Sequence, residues 1–503
     1  MTLKHFVTAP DYSDITTEIL MDGTGKKKVG PSRYIDEMLP AVRLLGEALG
    51  AEYRYYSILL MDNSSRRWSV SAAGTSVVSD SLYNNRGMTV RVTDDKGYAE
   101  YSLNGFCKDD ISHVTERLRE SLKAFDGDGE SFLQDYMKRE IPASAPLEMR
   151  RSGEYLVHPA DIDDGVMIER LSELRKKLIA TDERIFDAGA RAEYQEIHKL
   201  FVAPGRELSQ DILWSTGAVS AMAKSGQEIK TAFRSFSVLG GAEILDEMDG
   251  ALGKVAETAV TLLSSEPMIP GTYECICSPE VTGMIVHEAF GHGVEMDMFV
   301  KDRALAKNYI GKRVASDLVT MHDGGIAADQ TGSYFFDDEG QEATDTVIIE
   351  KGILKRGISD LLSAMTLGTG PTGNGRRQDY GHKAYTRMTN TFFEGGGDDP
   401  EDMIRSVGYG FLLESPESGM EDPKNWGIQC MVSVAKEIRD GKLTGRVFSP
   451  VVLTGYVPDL LKSFTMMSPR VELSGGGMCG KGYKEWVKVS DGGPYIKATI
   501  RLG

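Results

Sequence analysis

The sequence predicts an α+β protein of two domains, an N-terminal α/β layer over residues 1–266 and a C-terminal, mostly antiparallel β domain over residues 267–503. Three observations predict this. The first ~125 residues alternate helical and strand periodicities. The stretch SSEPMIPG, from Ser264 to Gly271, carries two prolines and a glycine that stop any helix. Beyond it the chain turns to short apolar runs, frequent glycines and hairpin dipeptides, interrupted by a single helix.

Within the first domain, Ser32–Leu49 reads as an amphipathic helix capped by Ser32, with Pro40 as a kink and Gly50 just past its end. Tyr53–Met61, Trp68–Val70, Met88–Val92 and Tyr98–Tyr101 alternate apolar and polar residues around NNRG and DDKG turns, the pattern of an antiparallel meander. Ile111, Val114, Leu118, Leu122 and Phe125 share one helical face that would cover it. Residues 141–165 hold three prolines and no sustained period, and read as a connector. Leu171, Leu174 and Leu178 open a charged region read as helical to about Phe201, and a second helical stretch runs from Glu243 to Leu263. In the second domain Lys351–Gly352 and Asp440–Gly441 mark hairpins.

Composition bounds the function. The 503 residues carry 57 basic and 75 acidic side chains, a net charge of −18, which disfavours phosphate backbones and anionic lipid; neither nucleic acid nor membrane is expected as a partner. Five cysteines, an odd number, fit a reducing compartment better than a disulfide scaffold. MTLKHFVTAPDYSD lacks the apolar run of a signal peptide, and no stretch approaches the ~18 apolar residues of a span, so a cytoplasmic protein is expected.

The chemistry concentrates on the single C-terminal helix. Ser278-Pro279-Glu280 starts it, with Ser as cap and Pro at the first position, and Gly293 stops it. It contains His287-Glu288-Ala289-Phe290-Gly291-His292. Two imidazoles and a carboxylate on one apolar helix are costly to bury without a partner, which a divalent metal would supply. In HExxH the histidines are four apart and face one ion. Here they are five apart, about 140° at roughly 100° per residue, too far for a regular helix. Gly291 permits a π-bulge or an early helix end that would close that angle. The alternative is a core histidine satisfied by a carbonyl, with Glu288 solvated.

The run PEVTGMIVHEAFGHGVEMD resembles the HExxxH segment of the TldD/PmbA metallopeptidase family. TGNGRRQDYGHKAYTRMTNT, Thr372 to Thr391, resembles its second signature and GGGMCGKG, Gly475 to Gly482, its C-terminal one; FDDEG at Phe336–Gly340 and the KGIL hairpin also fit. The resemblance implies a curved antiparallel sheet wrapped about the metal helix, and one zinc per chain held by His287, His292 and Cys479. Two imidazoles and a thiolate leave a fourth tetrahedral position for water. Glu288 is then the general base. His382 is the candidate oxyanion donor, with a structural loop histidine as the alternative, and Arg387 and Asn390 either bind substrate backbone or pin their loop. The implied partners are short or unfolded peptides and a second subunit, in a homodimer or a heterodimer with a metal-free paralogue. An exposed sheet edge near the site would hold an extended peptide. One departure is YGFLLESPESGMEDPKNWGIQ, more polar and acidic than the glycine-rich stretch usual in the family, which bears on substrate range. The competing readings are a non-catalytic or regulatory partner subunit, and a structural zinc closed by a fourth protein ligand.

Cys275 and Cys277 lie two apart and read as packing residues on one strand face, while Cys107 and Cys430 have no motif around them. His322 reads as turn material, and His113, His158 and His198 as exposed. The acids at Asp337–Glu339 read as a hydrogen-bonded turn in preference to a cation site.

Overall fold

A computed structural model describes residues 25–79, 84–93, 98–123, 145–482 and 485–503. The sequence readings at MTLKHFVTAPDYSD, the DDKG turn and Phe125, and at the first residues of the 141–165 connector, lie outside the described residues.

The N-terminal domain opens on helix α1 (Arg33–Gly50). Ser32 caps it, its hydroxyl accepting the Ile35 N–H at 3.1 Å, and the helix continues through the exposed Pro40 without ending. Strands β1 (Tyr55–Ser71), β2 (Asn85–Thr93) and β3 (Tyr98–Leu103) then form the antiparallel meander, with the two runs at Tyr53–Met61 and Trp68–Val70 joined in one long strand. Helix α2 (Ile111–Lys123) and helix α3 (Asp164–Ala180) follow. Between them the connector is not irregular throughout: Leu147–Ser152 pairs in parallel with a sheet strand, and Glu154–Tyr155 with Lys27–Lys28.

The helical reading to Phe201 is corrected by the structure. α3 ends at Ala180, and β4 (Ile185–Ala203), β5 (Arg206–Ser225) and β6 (Glu228–Val238) are long antiparallel strands. The sheet runs β6–β5–β4–β1–β2–β3. In β4 the small residues Ala188, Ala190 and Ala192 alternate inward under the helices, so period 2 outweighs the helix preference of alanine. α1, α2, α3, α4 (Ile244–Gly250) and α5 (Leu252–Leu262) cover one face through two apolar clusters. The other face meets the C-terminal domain: Leu59, Met61, Phe201 and Leu208 pack on Phe336, and Ile212 and Trp214 on Tyr334 and Ala343.

A buried ionic network crosses the same junction. Arg91, 2% exposed, donates to Glu100 at 3.0 Å within the sheet and to Glu339 at 2.7 Å across it. Arg377 answers from the C-terminal side onto Glu100, and Lys199 reaches Asp338 at 2.5 Å. Asp337 accepts the N–H groups of Glu339, Gln341 and Gly375 at 2.8–2.9 Å. The FDDEG acids are therefore an interdomain turn with satisfied carboxylates. Gly340 is required here, since at φ +72 a Cβ would lie 2.1 Å from the Phe201 ring. Glu339→Ala leaves the Arg91 charge buried beside Glu100 alone, and is expected to cost about 3–5 kcal/mol, read as a lowered denaturation midpoint. An unchanged midpoint would mean that water reaches the network.

His198 and His322 depart from their sequence readings. His322 is buried on a strand, Met321–Asp323, with Nδ1 2.7 Å from Asp345, Nε2 2.9 Å from Glu394, and its ring stacked on Phe392. His198 is buried in β4, 2.6 Å from Asp211 and 3.3 Å from Glu196. Burial opposes its charge, but those two carboxylates prevail and hold the imidazolium up to about 9. A histidine raised in the folded state stabilises fully below its unfolded pKa of ~6.5, and the contribution is lost as pH rises toward 9. The Tm advantage of wild type over His198→Gln is therefore expected to narrow between pH 6.5 and 9; an advantage constant over that range contradicts the charged pairing.

The C-terminal domain closes a small barrel. β7 (Gly271–Cys277) leads into helix α6 (Pro279–Ile285), and β8 (Tyr409–Asp422), β9 (Gly427–Arg439), β10 (Val451–Tyr456) and β11 (Ile496–Leu502) follow. β7 pairs parallel with β8 and antiparallel with β11, which closes the ring β7–β8–β9–β10–β11. Cys275 and Cys277 are packing residues in its core. Lys351–Gly352 and Asp440–Gly441 form the hairpin turns with φ positive at both residues. A six-stranded sheet that includes Met321–Asp323, Asn390–Phe393, Ser490–Gly493 and Glu472–Ser474 stands beside the barrel, and α6 lies between the two, touching β7, β8 and β9 on one side and the last three of those sheet strands on the other. Among the described residues no helix is long and apolar enough to cross a membrane.

Candidate metal centre

The site is built by an interruption of the helix. Ser278 caps α6 and Pro279 opens it. From Val286 to Gly291 the backbone widens into a π turn, and His292–Val294 tightens into a 3₁₀ turn. The i→i+5 turn carries residue i+5 back over residue i, so the five-residue spacing that a regular helix could not use brings the two imidazoles together. Their ring centroids are 5.1 Å apart at 87°. Gly291 permits this packing because a Cβ there would lie 2.2 Å from the Met388 sulfur.

Cys479 arrives from a two-stranded hairpin, Met478–Lys481 with Glu485–Lys488, in which it pairs with Val487. The Gly480 Cα faces the Trp486 ring, where a Cβ would be 2.9 Å away. One ligand atom from each of His287, His292 and Cys479 falls within 4.8 Å of the others, the one such cluster among the described residues. Cys479 Sγ is 3.5 Å from His292 Nε2. A tetrahedral zinc with Zn–N of about 2.0–2.1 Å and Zn–S of about 2.3 Å spaces N and S by about 3.5 Å, so the donor set fits that ion in identity and in separation. Among the described residues His287 Nδ1 is buried without a hydrogen-bond partner, the carboxylate oxygen facing it being Asp491 Oδ2 at 3.6 Å.

The electrostatics match the geometry. Burial alone would keep the Cys479 thiol protonated, but His292 and His287 overcome it and hold the thiol well below its ordinary value. Burial likewise opposes charge on both histidines, and Cys479 overcomes it, raising each; Glu295 adds to the effect on His292. His292 Nδ1 lies 3.3 Å from Glu295 Oε2. Despite its burial, Glu295 is held down at about 2 by Lys481 and His292. Lys481 Nζ sits 3.0 Å from Glu295 and 2.7 Å from Asp297, and donates to the Thr386 carbonyl at 2.9 Å. Glu295 and Asp491 thus stand behind the two imidazoles, and Lys481 fixes Glu295. The sequence reading did not single out these three. Glu295 and Lys481 sit inside the quoted signatures, three residues from His292 and two from Cys479; Asp491 had no local signal.

Glu288 lies beside His287 on the wall of a cleft of about 280 Å³ between the domains. The opposite walls are Phe233, Arg234 and Ser235 of β6, the outer strand of the N-terminal sheet, and Ser415–Gly419 of β8. β8 bulges between Pro416 and Ser418, with Ser415 at φ +59, and Gly419 makes room for Glu288, whose Cγ would meet a Cβ there at 2.4 Å. The polar segment from Tyr409 is thus half barrel strand and half cleft wall.

The other three sequence candidates lie elsewhere. Arg387, 1% exposed, donates to the Cys479 carbonyl at 2.6 Å and the Glu485 carbonyl at 3.0 Å. Asn390, fully buried, donates to the Gly324 carbonyl and Ser333 and accepts from Ser490. The hydrogen bonds both make go to groups inside the chain, as the pinning alternative has it, and both side chains are buried. His382 pairs with Asp379 at 2.7 Å, its carbonyl takes Arg377, and it does not line the cleft.

Residues 270–500 match the family model described as the PmbA/TldA metallopeptidase C-terminal domain. The chain is 32% identical over 281 residues to a metalloprotease of Methanothermobacter thermautotrophicus, covering 56% of this chain and 61% of that protein. It is 31% identical to the metalloprotease TldD homolog of Buchnera aphidicola from Schizaphis graminum, over 63% of this chain and 68% of the relative. To the zinc metalloprotease TldD homolog of Saccharolobus solfataricus it is 28% identical, over 62% and 70%. The crystal structure of TldE from Thermococcus kodakarensis shares the fold, with a TM-score of 0.70 at 16% identity over 92% of this chain and all of that one. On the sequence matches, the chain belongs to the TldD/PmbA metallopeptidase family.

Proposed function

We propose that the chain is a zinc-dependent peptidase that hydrolyses short or unfolded polypeptides, with one zinc held by His287, His292 and Cys479. The observation that carries this reading is the convergence of two imidazoles and a thiolate beside Glu288 on the wall of an open cleft. Zinc supplies Lewis acidity and brings the ionisation of water near neutral pH. Glu288 takes the proton of the attacking water and returns it to the leaving amine. Glu295 orients the His292 imidazole, Asp491 is the carboxylate facing His287 Nδ1, and Arg387 holds the Cys479 backbone by its carbonyl.

A structural zinc would be closed by a fourth protein ligand; among the described residues the cluster has three, which supports an open site. The size of the cleft supports an extended peptide as substrate. The outer edge of β6 offers main-chain groups to such a peptide. Assembly as a homodimer, or as a heterodimer with a metal-free paralogue, belongs to the same reading. Peptide hydrolysis that is abolished by a chelator and restored by zinc supports the proposal; hydrolysis that persists in the chelated, metal-free chain overturns it.

A further inference from the structure

The face of the N-terminal sheet that meets the C-terminal domain changes character along its strands. At one end it is apolar, around Phe336. At the other, Arg67, Arg191, Glu193 and Trp214 face a second cavity of about 200 Å³, closed on the C-terminal side by Gly476, Met478 and Lys488. Gly476 and Met478 also line the cleft that holds His287 and Glu288, so the two spaces share a wall. Met478 precedes Cys479 and pairs with Lys488 across the hairpin.

The charges in this cavity do not cancel. Arg67 and Glu193 lie 3.9 Å apart. Arg191 and Lys488, by contrast, have no hydrogen bond or ion pair among the described residues. Their neighbours are aromatic: Arg191 lies 5.8 Å from the Phe233 ring and Lys488 Nζ 4.7 Å from the Trp214 ring. Lys488 is only 7% exposed. A buried ammonium without a counterion is costly, and burial pushes Lys488 down to about 7 against the pull of Glu193. The chain has 75 carboxylate side chains for 57 cations, yet beside the metal cleft it gives these two no directly bonded carboxylate among the described residues, Glu193 acting on Lys488 only from across the cavity. The buried charges around His198 and in the FDDEG turn, by comparison, are paired within the chain.

We propose that this cavity is an anion subsite of the cleft, in which Lys488 and Arg191 bind a carboxylate of the substrate, either the terminal carboxylate or an Asp or Glu side chain. The proposal rests on the peptidase reading. A carboxylate would supply the missing counterion, and the Arg guanidinium offers it a planar, bidentate pair of donors. The substrate would be anchored by charge at one position while the rest of its backbone is held without side-chain preference.

The test is equilibrium binding to the full chain carrying Glu288→Gln, by calorimetry, of one peptide in three forms: a free C-terminal acid, its C-terminal amide, and the amide with one internal Gln changed to Glu. The acid binding about tenfold more tightly than the amide assigns the subsite to the terminal carboxylate; the same gain from the internal Glu assigns it to a side chain. Either gain is expected to shrink toward onefold with Lys488→Met. If that variant does not fold, Arg191→Gln, at an exposed position, carries the comparison. Equal affinity for all three peptides, or binding of none, overturns the subsite. Cleavage of the amide by the zinc-loaded wild-type chain is a separate readout, and reports on the peptidase reading alone.

Discussion

Glu288→Gln is expected to lower peptide hydrolysis by about 10²–10⁴-fold while leaving zinc in place, the range that loss of a positioned general base produces. The expectation follows from where Glu288 sits. It adjoins His287 on the π turn, lines the cleft, and is not among the three residues whose ligand atoms cluster there. The amide keeps the shape of the side chain and its packing against Gly419, so a fall in rate reports proton transfer and not a collapsed wall. Hydrolysis at the wild-type rate would remove Glu288 from the reaction.

Cys479→Ser is expected to take zinc from about one per chain to well below that, and hydrolysis with it, read by metal analysis and a peptide assay. A serine hydroxyl is not deprotonated at neutral pH and is a poor zinc ligand, whereas the thiol here is already held toward its thiolate by His292 and His287. Removing it leaves two imidazoles, too few for a tight site. The hairpin itself should survive, since Arg387 grips the Cys479 backbone carbonyl and not the sulfur. Full zinc occupancy in the variant would mean that the ion is held by other residues.

Local chemistry was legible where it sets local geometry. The His287–His292 spacing with Gly291 pointed to a widened helix, and a π turn is there. Ser278–Pro279 marked the helix start, and the two Xaa-Gly dipeptides marked their hairpins. What the chain brings together from afar was not legible by period alone. Cys479 lies 187 residues from His292, and only the family resemblance paired them. Asp491 reaches His287 through strand pairing beside Asn390–Phe393, which no motif records. β4 was misread because AGARAEYQEIHK mixes alanines with charges, a helix-like composition; it is a strand because β1 and β5 flank it on both sides and its alanines fit under α3 and α5. For Arg387 and Asn390 the sequence leaves substrate binding and loop pinning equally open, and only the structure shows that the hydrogen bonds they make lie inside the chain.

The central claim is a three-residue zinc site with a separate proton carrier. The most direct test is zinc content and hydrolysis measured together on wild type, Glu288→Gln and Cys479→Ser. The account predicts about one zinc with activity, about one zinc without activity, and neither, in that order. Zinc retained by Cys479→Ser, or hydrolysis undiminished in Glu288→Gln, would contradict it.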